Sequence, residues 1–203
     1  MDELATVPAL ADYDRGFKKC AVHQQTQRTY AIGDNEAGTQ ALVLLDATLQ
    51  VVATVEATGD GPEDEEENVF LPIRDVAVHG DQVIVLTGDN HPKGSGLRLL
   101  DLDGRFLRTI AAGQFRHPYA VAASRGRAFV VEEDVDGDDD DDDDEGTGKV
   151  LYIIDIQSGE IIQRAHFDLK GAATEILVDG DEIFISEYAA SKVVVLQLAG
   201  SEA

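Results

Sequence analysis

Cysteine, positive charge and long apolar runs are all scarce in this sequence, and each shortage excludes a class of protein. Cys20 is the only cysteine among 203 residues, which excludes an internal disulfide and a zinc site built from several cysteines. We expect Cys20 to be a buried small hydrophobic residue. Lysine and arginine number 16 against 40 aspartates and glutamates, and the net charge of −24 repels phosphate backbones and anionic lipids. Neither nucleic acid nor a membrane is an expected partner.

The sequence also lacks membrane, export and catalytic signals. It has no apolar run of about 18 residues, the length that spans a bilayer, and its N-terminal residues carry acids where a secretory signal has bases. A soluble, cytoplasmic protein is therefore expected. No serine lies in a Gly-x-Ser-x-Gly pattern, and no P-loop or dinucleotide-binding glycine pattern follows a predicted strand. These absences favour a non-catalytic protein.

The negative charge is concentrated in two acidic segments. Residues 60–67 contain six acids and residues 132–145 contain twelve, without a lysine or arginine in either. The other 22 acids are set against 16 bases, so the rest of the chain has a net charge of −6. Because adjacent carboxylates repel each other, we expect residues 134–148 to form a disordered acidic loop. Capture of a basic partner and weak binding of divalent cations by this loop stay open, and no other cofactor is predicted.

A repeated unit fills most of the chain. Residues 20–55 align with residues 76–110 at an offset of 55 or 56, and further copies lie at 120–167 and 175–200. Each copy contains short runs rich in Val, Ile, Leu, Phe and Tyr, separated by Gly, Asp and Asn, which is typical of β-strands and tight turns. Four antiparallel strands in each repeat of this length are typical of a β-propeller blade. The predicted fold is all-β, an array of about four four-stranded blades.

The predicted propeller region covers 17–200, and its last blade is incomplete. The blades are predicted at 17–58, 70–112, 118–168 and 173–199, and the strands of the second at 74–79, 82–87, 97–102 and 106–111. The last unit has no residues for its outer strand, whose absence exposes an unpaired edge. The N-terminal segment 1–16, through residues 4–10, is one candidate for that strand. An open propeller, a truncated product and a homodimer are the alternatives.

Residues 97–131, LRLLDLDGRFLRTIAAGQFRHPYAVAASRGRAFVV, carry a family resemblance. An apolar strand ending in Asp-x-Asp-Gly, a second strand, Gly-x-Phe, and a proline before a third strand together resemble the NHL repeat. The resemblance extends over about 70–165, although Ile73 and Tyr119 stand where the family has glycine after proline. It implies an NHL-repeat β-propeller, related to the six-bladed TolB-like scaffold but with about four blades. Such propellers commonly bind proteins or RNA within larger assemblies.

Alternation of strand direction predicts where the loops lie. If the strands of each blade are lettered A to D, the B–C loops and the connections between blades share one face, here called the long-loop face. The A–B and C–D turns share the other, here called the tight-turn face. Both acidic segments belong to the long-loop face, which we predict to bind a protein of basic character. The candidates on that face are His91, Lys93, Phe115, Arg116, His117, Asp64, Glu65 and Asp140.

The alternative function is that of a metal-dependent propeller enzyme resembling lactonases or amidating lyases. Those enzymes hold a divalent metal at the axis with side chains from several blades. In this chain the innermost strands offer chiefly Asp75, Tyr119 and Glu175 at their starts. The alternative therefore depends on whether these three side chains meet.

Other polar residues recur at fixed places in the repeat. His23 and His79 occupy the same position at a strand end, which favours a structural role over metal binding. Asp46, Asp101 and Asp155 also recur at one position, where we expect each to accept hydrogen bonds within a turn.

Overall fold

The structure is a computed structural model of an all-β chain. It describes residues 17–34, 40–56, 72–88, 95–133, 148–169, 173–188 and 191–198. Within these ranges all regular secondary structure is β-strand, in four antiparallel sheets that form the blades of a four-bladed β-propeller. The predicted fold class is confirmed.

Each blade follows chain order from its first strand to its last. The strands of blade 1 are β1 (Phe17–His23), β2 (Arg28–Asp34), β3 (Gln40–Leu45) and β4 (Val51–Glu56). Those of blade 2 are β5 (Ile73–His79), β6 (Gln82–Thr87), β7 (Gly96–Asp101) and β8 (Phe106–Ile110). Those of blade 3 are β9 (Pro118–Ser124), β10 (Arg127–Glu133), β11 (Lys149–Asp155) and β12 (Ile161–Phe167). Those of blade 4 are β13 (Ala173–Asp179), β14 (Glu182–Glu187) and β15 (Lys192–Gln197).

The hydrophobic core lies between neighbouring blades. Separate clusters of buried side chains join blade 1 to blade 2, blade 2 to blade 3 and blade 3 to blade 4, with Leu42, Ile84 and Phe129 among their fully buried members. No such cluster joins blade 4 to blade 1 among the residues that the structure describes. In the described ranges Leu177, Val193 and Val195 of blade 4 are exposed, so the seam between the last blade and the first is less closely packed than the others.

Tight turns connect the strands as the sequence predicts. Asp103 and Gly104 form the β7–β8 turn, in which Gly104 has a φ of 82°, a left-handed conformation that glycine adopts without strain. A Cβ at Gly104 would also lie 3.1 Å from Val55 and 3.2 Å from Leu44 of blade 1. A side chain at position 104 is therefore disfavoured both by the backbone conformation and by the lack of space.

The recurring aspartates accept hydrogen bonds within turns, as predicted. Asp46 Oδ1 accepts hydrogen bonds from the backbone N–H groups of Thr48 (2.8 Å) and Gln50 (3.0 Å). Asp101 Oδ1 accepts two equivalent bonds at 2.9 Å, and Asp155 Oδ1 accepts one from Ser158 at 2.7 Å. These bonds to the ionised form hold the pKa of Asp46 and that of Asp155 below their usual range.

The structure does not describe every predicted segment. The proposed closing segment 1–16 lies outside the described residues, as does the acidic loop apart from Gly148. Blade 4 has three strands within the described ranges, which leaves β15 at the edge of its sheet.

Candidate functional site at the propeller axis

The same irregularity occurs in the innermost strand of all four blades. The register of β1 against β2 skips Lys18, and the registers of β5, β9 and β13 skip Arg74, Tyr119 and Thr174 at the equivalent place. Such bulges redirect the following side chain and are common beside functional sites. The positions that follow are occupied by Lys19, Asp75, Ala120 and Glu175.

Three of these residues line a pocket at the axis. The pocket has a volume of about 340 Å³ and is lined by Lys19 of β1, Asp75 of β5 and Glu175 of β13, together with Lys18, Cys20 and apolar side chains of the inner strands. Ala120 at the fourth equivalent position is fully buried against blade 4. Two carboxyl groups and two ammonium groups therefore line the pocket where the inner strands begin, and one of the two ammonium groups, that of Lys18, pairs with Asp34.

Asp75 is the buried acid of this pocket, with 5% of its surface exposed. Its Oδ1 accepts a hydrogen bond from the backbone N–H of Val76, and its Oδ2 accepts one from Val121 in the next blade, both at 2.8 Å. Burial raises the pKa of Asp75 to about 6, although Lys19 and the two backbone donors favour the ionised form. The hub thus contains an acid that titrates just below neutral pH.

Lys19 joins blade 1 to blade 4 across the seam between them. Its Nζ donates to the backbone oxygen of Thr174 and to Oε1 of Glu175, both at 2.5 Å. Glu175 has 62% of its side chain exposed, whereas Lys19 has 18%. The seam is therefore bridged by an ion pair that water reaches from one side.

Cys20 is exposed, so the prediction of a buried residue is wrong. Cys20 is equivalent in register to Val76, Val121 and Ile176, each of which is buried against the preceding blade. The preceding blade for Cys20 is blade 4, and no described apolar cluster fills that seam. The thiol instead lines the axial pocket.

Tyr119 does not line the hub pocket with Asp75 and Glu175. It is the bulge residue of β9, and its hydroxyl donates to Oε2 of Glu133 in β10. The neighbouring Glu133 Oε1 accepts from Lys149 Nζ at 2.8 Å, and Lys149 is 99% buried with its Nζ 5.8 Å from the centre of the Tyr119 ring. Burial and the Glu133 hydrogen bond raise the pKa of Tyr119. Tyr119, Glu133 and Lys149 thus form a bonded group at the base of the acidic loop, where β10 ends and β11 begins.

The loop before β9 carries three of the predicted binding residues. The carboxylate of Glu132 accepts hydrogen bonds from the backbone N–H groups of Arg116 and His117, the latter at 3.0 Å. Glu132 and Glu133 are therefore strand residues, although the sequence places them in an acidic segment. Arg116 is exposed and His117 half-buried, so both side chains remain accessible to a partner.

Phe115 is fully buried and cannot contact a partner in this conformation. Its ring packs edge-on against Tyr152 at a centroid distance of 5.3 Å, and its backbone exchanges hydrogen bonds with the Ser95 hydroxyl. The short loop turns this side chain into the core between blades 2 and 3. The remaining candidates, His91, Lys93, Asp64, Glu65 and Asp140, lie outside the described residues.

The histidines at strand ends have structural roles. His23 Nδ1 lies 2.7 Å from the Thr26 hydroxyl, and His79 Nε2 accepts a hydrogen bond of 2.9 Å from the backbone of Gly126 in blade 3. In the ranges described, no group of three or more His, Cys, Asp or Glu side chains is arranged to hold a metal ion. Nor do those ranges contain a helix long and apolar enough to cross a membrane.

Sequence reasoning identified two hub residues and missed a third. Asp75 and Glu175 were predicted from their places at strand starts, and the structure brings them together. Lys19 lies 56 residues before Asp75, which is the repeat offset, so the alignment contained the signal. The alignment alone does not show that Lys19 lines the pocket, because the bulges shift the register of each inner strand by one residue.

The comparisons with known proteins agree with the observed fold. No family model and no curated protein matches this chain. Among solved structures, the computationally designed Ika4 protein superposes with a TM-score of 0.57 at 14% identity, over 98% of this chain and 99% of that one.

Two natural proteins superpose over part of their length. BamB from Moraxella catarrhalis gives a TM-score of 0.52 at 20% identity, over 84% of this chain and 40% of that one. The propeller domain of the Trilobed protease from Pyrococcus furiosus, described as having an open velcro topology, gives 0.54 at 9% identity, over 89% and 54%. The chain thus spans about half of each natural protein or less. At these identities the similarity shows a β-propeller fold alone.

Proposed function

We propose that this chain is a non-catalytic interaction module that binds a basic segment of a protein partner on its long-loop face. The observation that carries the proposal is that the axial pocket and the strand ends that flank both acidic segments lie on one face. The resemblance to NHL repeats supports a binding role, and the predicted cytoplasmic location is compatible with it.

Strand ends on either side of the acidic segments support this arrangement. The first segment leaves β4 at Glu56 and returns at Ile73, the start of β5. The second leaves β10 at Glu133 and returns at Lys149, its cross-strand partner. The strand ends that flank both segments therefore lie at the end of the sheets where the inner strands start and where Lys19 and Asp75 line the axial pocket. A cation approaching this face would reach the strand ends from which both acidic segments continue.

The rigid base of the second segment also supports the proposal. The Glu133–Lys149 ion pair is buried on the lysine side, and the Tyr119 hydroxyl binds the same carboxylate. Loops anchored on a rigid scaffold are frequent binding elements. Exposed Arg116 beside this base would repel a cationic partner, so we expect the partner to contact the acidic segments rather than the 111–117 loop.

A fluorescent peptide rich in lysine and arginine tests the function. Its binding, measured by fluorescence anisotropy, should be lost when the acids of 60–67 and 138–144 are replaced by their amides. It should also weaken steeply with salt, because charges more than about 10 Å apart are screened at 0.1 M. The matched control replaces Asp179, Asp181 and Glu182 on the tight-turn face, and should bind as the native chain does.

The thiol of Cys20 provides a second measurement. It is the only cysteine in the chain and lines the axial pocket, so a peptide covering this face should slow its reaction with a thiol reagent. Binding that is indifferent to salt and to the amide substitutions would contradict the proposed function.

A further inference from the structure

A cleft rich in arginine lies on the tight-turn face, opposite the proposed binding face. It has a volume of about 410 Å³, and it is formed where the turns of blade 2 meet those of blade 3. Arg108, Arg125 and Arg127 line it, together with His79 and Asp155. The sequence predicts only tight turns on this face, and the cleft arises from the way neighbouring blades meet. Its volume is within the range of small-molecule sites.

The three guanidinium groups retain donors for a ligand. Arg108 uses one terminal nitrogen to donate to the backbone oxygens of Ile156 and Gln157, both at 2.7 Å, which fixes its position. Arg125 pairs with Asp181 at 2.7 Å, with both side chains more than half exposed. Among the described residues the side chain of Arg127 makes no hydrogen bond, although its charge acts on Asp155. A guanidinium group has five N–H donors, so most of the donors in this cleft are available.

The acids nearby do not neutralise the cleft. Asp155 is the carboxylate that lines it; its Oδ1 accepts the backbone N–H of Ser158, and the charge of Arg127 contributes to its lowered pKa. Asp181, the partner of Arg125, lies in the turn between β13 and β14. Three guanidinium groups therefore face two carboxylates, which gives a local excess of positive charge in a chain whose net charge is −24.

The backbone of the cleft is held in place between blades. His79 Nε2 accepts the N–H of Gly126, and Ile156 donates its N–H to the Gly126 oxygen at 2.9 Å. These bonds tie the end of β5, the β9–β10 turn and the end of β11 together. Preorganised donors reduce the entropy lost on binding.

We propose that this cleft binds the oxyanion group of a small anion, a carboxylate or a phosphate. Both groups accept paired, charge-assisted hydrogen bonds from guanidinium, and arginine matches their geometry better than lysine does. The site is separate from the acidic long-loop face, so ligand binding here is independent of the proposed protein interaction.

Titration calorimetry with citrate and with pyrophosphate at low ionic strength tests the proposal. We expect one of the two at least to bind, and the one that binds more tightly identifies the oxyanion. Arg127→Gln should weaken binding about tenfold or more, because a hydrogen bond to a charged group is removed. Since the side chain of Arg127 makes no described hydrogen bond, this variant should fold as the native chain does. Arg108→Gln should also weaken binding, and thermal unfolding verifies that it folds.

Arg105→Gln is the matched control, because Arg105 is an exposed arginine of the same face that does not line the cleft. Its affinity should equal that of the native chain. Absence of binding by both anions at millimolar concentration would overturn the proposal. Equal affinities of the Arg127→Gln and Arg105→Gln variants would overturn it as well, since binding would then come from general surface charge.

Discussion

The carboxylate of Asp75 in blade 2 accepts the backbone N–H of Val121 in blade 3 at 2.8 Å, which joins neighbouring inner strands at the axis. A backbone donor that faces a neighbouring blade is satisfied in this way by a side chain rather than by a strand. The hydrogen bond also fixes the buried carboxyl in the hub pocket, where its protonation becomes part of the stability of the propeller.

Replacing Asp75 by asparagine should change the pH dependence of stability. The folded state raises the pKa of this carboxyl from 3.8 to about 6, so it holds the proton more tightly than the unfolded chain does. The resulting stabilisation is complete below the unfolded pKa and is lost as the pH rises through about 6. Between about pH 7 and pH 5 the native chain should gain roughly 1.4 kcal/mol in free energy of unfolding from this group, and D75N should lack that gain. Denaturant unfolding of both proteins at the two pH values measures it, and identical pH dependence would contradict the buried acid.

Replacing Lys19 by glutamine should loosen the seam between blades 1 and 4. Because Glu175 is largely exposed, we expect a loss of about 1 kcal/mol or less in stability. The more sensitive measurement is the reaction of Cys20 with a thiol reagent, which should accelerate. Arg125→Gln is the control, since the Arg125–Asp181 ion pair joins the turns of blades 3 and 4 away from Cys20. An unchanged thiol reaction in K19Q would show that the ion pair does not hold the seam.

Replacing Lys149 by methionine should destabilise the base of the acidic loop. The buried ammonium is removed and Glu133, which is 27% exposed, loses its countercharge, so we expect a loss of about 2 kcal/mol. Tyr119→Phe removes one hydrogen bond to the same carboxylate and should cost about 1 kcal/mol. Thermal or denaturant unfolding ranks the two variants. A methionine variant as stable as the native chain would mean that the ion pair contributes no net stability.

Deleting residues 1–16 tests how blade 4 is completed. We expect residues 4–10 to pair with β15, and Pro8 is compatible with an outermost strand, which can lack a donor on its free side. Hydrogen exchange of the β15 amides should therefore accelerate in the shortened chain, while that of β6 stays unchanged. Unchanged exchange together with a dimeric native chain would favour completion by a second copy.

The fold was predictable because the repeat offset reports the backbone register. The strands of blade 2 observed at 73–79, 82–87, 96–101 and 106–110 differ from the predicted ones by one residue at most. Turn aspartates were predictable for the same reason, since a residue that recurs at one place in each unit has a role in the unit.

The site was less predictable, because it depends on local departures from that repeat. Tyr119 appeared equivalent to Asp75. The strand registers show that Tyr119 is the bulge residue of β9, as Arg74 is of β5, so Ala120 is the residue equivalent to Asp75. Phe115 lies in a connecting loop, which suggests exposure, yet its ring fills a gap beside Tyr152. The exposure of Cys20 results from the looser packing between blades 4 and 1, which depends on how the blades meet rather than on any one strand.

The bulge in the innermost strand of every blade creates four equivalent side-chain positions at the centre of the protein. Each position is occupied by the residue that follows the bulge. These residues are Lys19, Asp75, Ala120 and Glu175. Ala120 and Asp75 are buried at their positions, whereas Lys19 and Glu175 are partly exposed, so the core restricts the occupant in two blades more than in the other two. Substitution of Lys19 or Glu175 should therefore change the charge of the axial pocket while leaving the apolar clusters between blades intact.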